Sequence, residues 1–147
     1  MKKVMMLMGA LVVAGAGLVA VAADRDTPQR TGDTVALTAG EDLDAGVLCG
    51  VWTNGHVYAA GLTKSLTIIG RAEAAADSGE TAVVRRGVFR WDNGGDTVAD
   101  KDIGAIVYVW TNTAYTVCLT PLAAAATNTA GTVVDVDTEG VWVRSGL

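Results

Sequence analysis

The sequence has few of the residues on which active sites and metal centres usually depend. Its 147 residues include two cysteines and one histidine. Cys49 and Cys118 are too few and too far apart for a zinc site of the C-x-x-C type. His56 has no serine or cysteine nucleophile motif nearby, so a surface position is expected for it. The sequence therefore predicts a non-enzymatic protein without catalytic residues, cofactor or metal ion.

Basic residues are also scarce. Eleven lysines and arginines stand against sixteen aspartates and glutamates, which gives a net charge of −5. Without residues 1–23, which hold Lys2 and Lys3, the net charge is −7. Such a chain lacks the basic surface that supplies most affinity for nucleic acid. We therefore expect no direct binding to DNA or RNA.

Proline occurs twice and phenylalanine once, and amphipathic helical runs with Leu, Glu and Lys at i, i+4 spacing are missing. Gly, Ala, Val and Thr dominate instead, and the length suffices for one domain with a real core. Short apolar runs bounded by turn residues are typical of β-strands. The composition therefore predicts an all-β fold.

The chain divides into three parts. Residues 1–23 combine two lysines, an apolar run and small residues at the end, a pattern typical of a secretory signal peptide cleaved after Ala22 or Ala23. The run is also long enough to cross a bilayer, so an uncleaved membrane anchor is an alternative. Residues 24–33 are charged and polar and predict an exposed linker or arm. Residues 34–147 form the β-rich domain.

The clearest strand covers residues 79–91, GETAVVRRGVFRW, with Gly87 as its weak point. Neither face of this strand is wholly apolar, so we expect a bulge or bend at Gly87 that re-aims half of it. A hairpin is expected at Asn54 and Gly55. The other predicted strands are 34–37, 47–52, 56–60, 66–72, 105–111, 115–120, 130–136 and 140–144, with 105–111 at the centre of the core.

Two acidic groups were considered as metal ligands. Glu41, Asp42 and Asp44 lack the spacing of a calcium loop, and a solvated turn is expected. The alternating acids Asp135 and Glu139, with Asp137 between them, fit the solvent-exposed end of a hairpin better than a metal site.

The two cysteines leave two alternatives open. They could pair if the protein is exported, or remain small buried apolar residues if it matures in a reducing compartment. We favour the buried alternative.

Four segments occur in a familiar order: TAGEDLDAGVL, GRAEAAADSGETAVVRRGVFRW, DIGAIVYVW and AGTVVDVDTEGVWVRSG. This order resembles the small head decoration or capsid cement proteins of tailed phages. The resemblance covers roughly residues 34–144, and residues 74–80 and 86–89 match best.

The resemblance implies a small β-barrel or β-sandwich on the exterior of the virion. Such proteins bridge subunits of the major capsid protein, often as homotrimers at local three-fold positions. It also raises a third role for residues 1–23, as a segment that contacts a partner. The alternative function is an exported cell-surface or periplasmic binding module, which a cleaved leader and a disulfide would favour.

The candidate capsid contacts lie in the arm and in the central strand. An extended arm gains backbone hydrogen bonds when it adds to a sheet edge. Arg85, Arg86 and Arg90 in the central strand could contact an acidic partner surface or form a solvated face, and the solvated face is the favoured interpretation. The candidates are Thr27, Pro28, Gln29, Arg30, Arg85 and Arg86.

Overall fold

A computed structural model of the protein describes residues 33–110, 114–122 and 127–146. These residues contain strands and one turn of 3₁₀ helix at Asp100–Asp102, with no α-helix among them, which confirms the all-β prediction. The leader at 1–23 and the arm residues before Asp33 lie outside the described residues. The strands are β1 (Thr34–Thr38), β2 (Leu48–Val51), β3 (Val57–Ala59), β4 (Thr67–Ala72), β5 (Thr81–Arg85), β6 (Gly87–Asn93), β7 (Ile106–Val109), β8 (Thr116–Cys118), β9 (Thr129–Asp137) and β10 (Gly140–Ser145).

The strands form a sheet and a closed barrel. The sheet has the order β1-β5-β4-β2-β3, and the barrel has the order β10-β6-β8-β7-β9. Neighbouring strands are antiparallel except for β6 and β8, which are parallel. The expected hairpin at Asn54 and Gly55 joins β2 to β3, with Gly55 at φ +80°. The closing hairpin joins β9 to β10.

The predicted strand at 79–91 is two strands, one in each layer. β5 belongs to the sheet and β6 to the barrel, and the break falls between Arg85 and Gly87. In β5 the buried residues are Ala82 and Val84, whereas in β6 they are Phe89 and Trp91. The buried positions therefore change from even to odd numbers at Gly87, whose φ is +151°. The expected bend is confirmed.

Small side chains from both layers share one core. Val84 of the sheet and Val107, Val117 and Val143 of the barrel are fully buried and belong to the same cluster. Val107 and Val109 are buried in β7 but Ile106 is 53% exposed, so the strand predicted at the centre of the core buries only one of its faces. Burial of a valine side chain contributes about 1.5–3 kcal/mol. The core thus gains its stability from many β-branched side chains, which suit pleated strands.

Asn128 links the loop between β3 and β4 to the beginning of β9. The residue is 1% exposed. Its Oδ1 accepts a hydrogen bond from the backbone N–H of Leu66 at 2.7 Å, and its Nδ2 donates to the carbonyl oxygens of Gly61 at 2.6 Å and Lys64 at 2.8 Å. Its own carbonyl oxygen accepts from the N–H of Val109. One buried amide therefore replaces the strand partners that this loop lacks.

Replacement Asn128→Ala should lower the free energy of unfolding by about 2–4 kcal/mol, because it leaves buried backbone groups of the loop without partners. Urea denaturation followed by tryptophan fluorescence measures this change. The control is Thr127→Ala at the exposed neighbouring position. A loss below about 0.5 kcal/mol for Asn128→Ala would show that the loop satisfies these groups with water.

Candidate functional site

Two carboxylates of the acidic turn after β1 bind other segments of the chain. Glu41 accepts a hydrogen bond from the backbone N–H of Ala59 at 3.0 Å and pairs with Lys64 at 3.5 Å. Asp42 accepts one from the N–H of Ser78 at 2.9 Å. Asp42 and Asp44 are exposed, as expected for a solvated turn, and Glu41 and Asp42 in addition bind backbone donors of distant segments.

The acids of the closing hairpin bind donors of the hairpin itself and of the neighbouring strand β6. Asp137 accepts hydrogen bonds from the Trp142 indole at 2.7 Å and from the backbone N–H groups of Glu139 and Gly140. Glu139 pairs with Arg90. These side chains are exposed, as expected for a hairpin end. No group of three or more His, Cys, Asp or Glu within the described ranges is placed to hold a metal ion.

His56 is exposed in the turn before β3, as expected. The backbone N–H of His56 donates to the Oδ1 of Asn54 at 3.0 Å. Asn54 in turn donates to the Tyr58 hydroxyl at 2.8 Å, which fixes the hairpin end. The contacts around His56 are therefore those of a turn.

Cys49 and Cys118 are both buried and unpaired, so the buried alternative is confirmed. The Cys49 thiol donates to the carbonyl oxygen of Val47 at 3.2 Å, and the Cys118 thiol to that of Thr120 at 3.1 Å. Burial raises the pKa of Cys49 to about 12. Burial, with the nearby charge of Asp96, raises the pKa of Cys118 to about 11. Both thiols are therefore protonated at neutral pH and poorly nucleophilic.

Ion pairs separate the basic side chains into two groups. Residues 33–146 contain seven lysines and arginines, and five of them pair with a carboxylate. Glu73 lies between Arg85 at 2.9 Å and Arg71 at 3.2 Å. Their hydrogen bonds, that of Arg85 first, lower the pKa of Glu73. The Arg71 guanidinium also covers the Phe89 ring at 4.6 Å. Arg85 and Arg71 thus share one carboxylate.

Arg86 and Arg144 form no ion pair with any other described residue, and both line one surface groove of about 390 Å³. The groove lies where the chain passes from β5 to β6. Arg86 is held there because its backbone N–H donates to the carbonyl oxygen of Asp33 at 2.6 Å. The remaining lining residues are Asp33, Gly87, Val88, Ser145 and Gly146.

Arg144 also belongs to a row of exposed side chains across the outside of the barrel. Ile106 is paired with Thr132, Thr132 with Arg144, and Arg144 with Val88. Residues paired across neighbouring strands lie side by side on the same face. Ile106 is 53% exposed and Val88 is 40% exposed. We call these four residues the barrel row: Thr132 and Arg144 lie between Ile106 and Val88, on a face that no described residue covers.

The structure places the predicted contact residues in different environments. Thr27, Pro28, Gln29 and Arg30 lie outside the described residues. Arg85 is exposed but paired with Glu73, whereas Arg86 lines the groove. Arg144 was not among the contact residues predicted from the sequence. The alternation of β10, with Val141 and Val143 buried around exposed positions, was the pattern that could have placed it on the surface.

No known protein family matches this sequence, and no curated protein matches it significantly. None of the described helical segments is long and apolar enough to cross a membrane.

The raised pKa values of the thiols predict slow alkylation of the native protein. With iodoacetamide at pH 8, Cys49 and Cys118 should react far more slowly in buffer than in urea, where burial no longer suppresses the thiolate. As the pH rises from about 9 towards 12, stability should fall, because the unfolded thiols ionise before the folded ones. Equal rates in buffer and urea, read by mass spectrometry, would contradict this account.

Proposed function

We propose that this chain is a non-enzymatic virion structural protein that decorates the exterior of an assembled phage capsid and stabilises it by bridging subunits of the major capsid protein. The order of segments in the sequence supports this proposal. The second segment spans β4 to β6 and the fourth spans β9 and β10, so the resemblance extends over both layers of the fold.

The barrel row is the observation that carries the proposal. Protein interfaces bury apolar area and are enriched in arginine, and the row presents both on one open face. Ile103, also 53% exposed, precedes a segment bonded to β9, since the N–H of Gly104 donates to the carbonyl oxygen of Val133. A partner protein that covers this face would remove Ile103 and Ile106 from water.

Binding in many copies to the capsid lattice would make modest contacts sufficient. A decoration protein binds in many copies, so modest contacts sum over the lattice and oppose the pressure of packaged DNA. A homotrimer at a local three-fold position would let each copy contact more than one capsid subunit. The arm at 24–33 leads into β1, an edge strand of the sheet, and in this proposal it adds to the sheet of a capsid subunit.

The alternative function is an exported binding module of the cell surface or periplasm. The observation in its favour is the signal-like pattern of residues 1–23. The unpaired state of Cys49 and Cys118 removes the disulfide that would have supported export. We therefore place the capsid proposal first.

Mass spectrometry of gradient-purified phage particles should detect this chain in a copy number comparable with that of the major capsid protein. A peptide that begins at Met1 indicates that the leader stays on the virion, and one that begins at Asp24 indicates that it is removed. A periplasmic protein of the host serves as the control for contamination. Absence from particles, with recovery from the periplasm or medium, would reject the capsid proposal in favour of the exported module.

A further inference from the structure

We propose that the groove of Arg86 and Arg144 binds the carboxylate of an acidic side chain on the partner protein. This inference rests on the proposed function, in which that partner is the major capsid protein. It identifies the contact by its chemistry: one aspartate or glutamate, entering the groove at the junction of sheet and barrel.

The pairing of the other basic residues singles out this groove. Residues 33–146 carry fourteen acidic and seven basic side chains, so carboxylates outnumber basic groups two to one. Five of the basic groups form ion pairs with four carboxylates, since Arg71 and Arg85 share Glu73, and the two basic groups without an ion pair line the same groove. Two guanidinium groups without a counter-charge in one groove repel each other, whereas an anion between them attracts both.

A buried hydroxyl lies behind the groove. Ser145 lines the groove and is 1% exposed, and its Oγ has no hydrogen-bond partner among the described residues. A buried polar group without a partner is costly, and in native proteins it usually finds one. Ser145 is buried on the same side of β10 as Val141 and Val143, opposite the exposed Arg144, so its hydroxyl faces the interior and the two arginines supply the N–H donors for a carboxylate.

The charge of the groove selects a singly charged anion. Asp33 also lines it, so its formal charge is +1 rather than +2. A carboxylate neutralises this charge, whereas a phosphate dianion would leave the groove with a net negative charge. The net charge of −7 over residues 33–146 further opposes the approach of nucleic acid.

The apolar neighbours point to a protein as the source of the carboxylate. Val88 belongs to both the groove and the barrel row, and Arg144 connects the groove to Ile106. A folded partner can place an acidic side chain in the groove and apolar side chains on the row together. In such an interface the arginine becomes desolvated by its apolar surroundings, which strengthens the ion pair.

The test compares two double variants of the full chain in binding to capsids stripped of this protein. R86A/R144A should weaken binding at least about tenfold, measured by co-sedimentation. The matched control R90A/K101A removes the same charge from residues that are ion-paired, and it should bind as the wild type does. Circular dichroism and urea denaturation verify that both variants are folded.

A second measurement tests anion binding in the groove independently of capsid binding. Sodium acetate added to ¹⁵N-labelled wild-type protein should shift the amide resonances of Gly87 and Gly146, relative to sodium chloride, and R86A/R144A should abolish the shifts. If the wild type does not bind capsids but acetate shifts these amides, the proposed function fails and the carboxylate site stands. If R86A/R144A binds capsids like the wild type and acetate shifts nothing, the inference is overturned while the proposed function stands.

Discussion

The chain passes from the sheet to the barrel through a single residue, Arg86, and this crossing determines where the candidate site lies. On one side the N–H of Arg86 is bonded to Asp33, just before β1, and on the other Gly87 is paired with Ser145 of β10. The burial phase changes at Gly87, so Arg86 belongs to neither alternating pattern. Its side chain lies at the junction, where the groove is open to a partner.

The glycines around the crossing permit this close approach of the two layers. Gly87 has φ +151°, in a region that side-chain-bearing residues rarely adopt. Gly146, at φ +85°, lies against the carbonyl group of Ile69 and beside the Cγ of Arg86, where a Cβ would collide. The groove therefore depends on Gly87 for its backbone conformation and on Gly146 because a larger residue there would collide with its neighbours.

Local patterns in the sequence predicted the strands, and long-range partners decided the rest. Alternation and turn residues placed β5, β6, β7, β9 and β10 correctly because burial on one face of a strand repeats every second residue. The role of Asn128 was not visible, since its partners, Gly61, Lys64 and Leu66, lie more than sixty residues away. The pairing of Arg85 and Glu73 likewise follows from the register between β4 and β5. Of the candidate site, the sequence indicated Arg86 and missed Arg144.

The charge distribution gives Arg86 and Arg144 a meaning that exposure alone would not. An unpaired arginine is unremarkable on a surface that is poor in acids, because water solvates it well. Here carboxylates are abundant. Some of them, such as Asp42 and Asp137, accept hydrogen bonds from backbone N–H groups in turns. The two arginines lie at a junction whose other lining residues are one exposed acid, Asp33, and the small, apolar or buried residues Gly87, Val88, Ser145 and Gly146. Among the described residues, Asp33 is the one acidic residue that lines the groove beside two guanidinium groups, so one positive charge has no counter-charge there, which is why we propose that another molecule supplies a carboxylate.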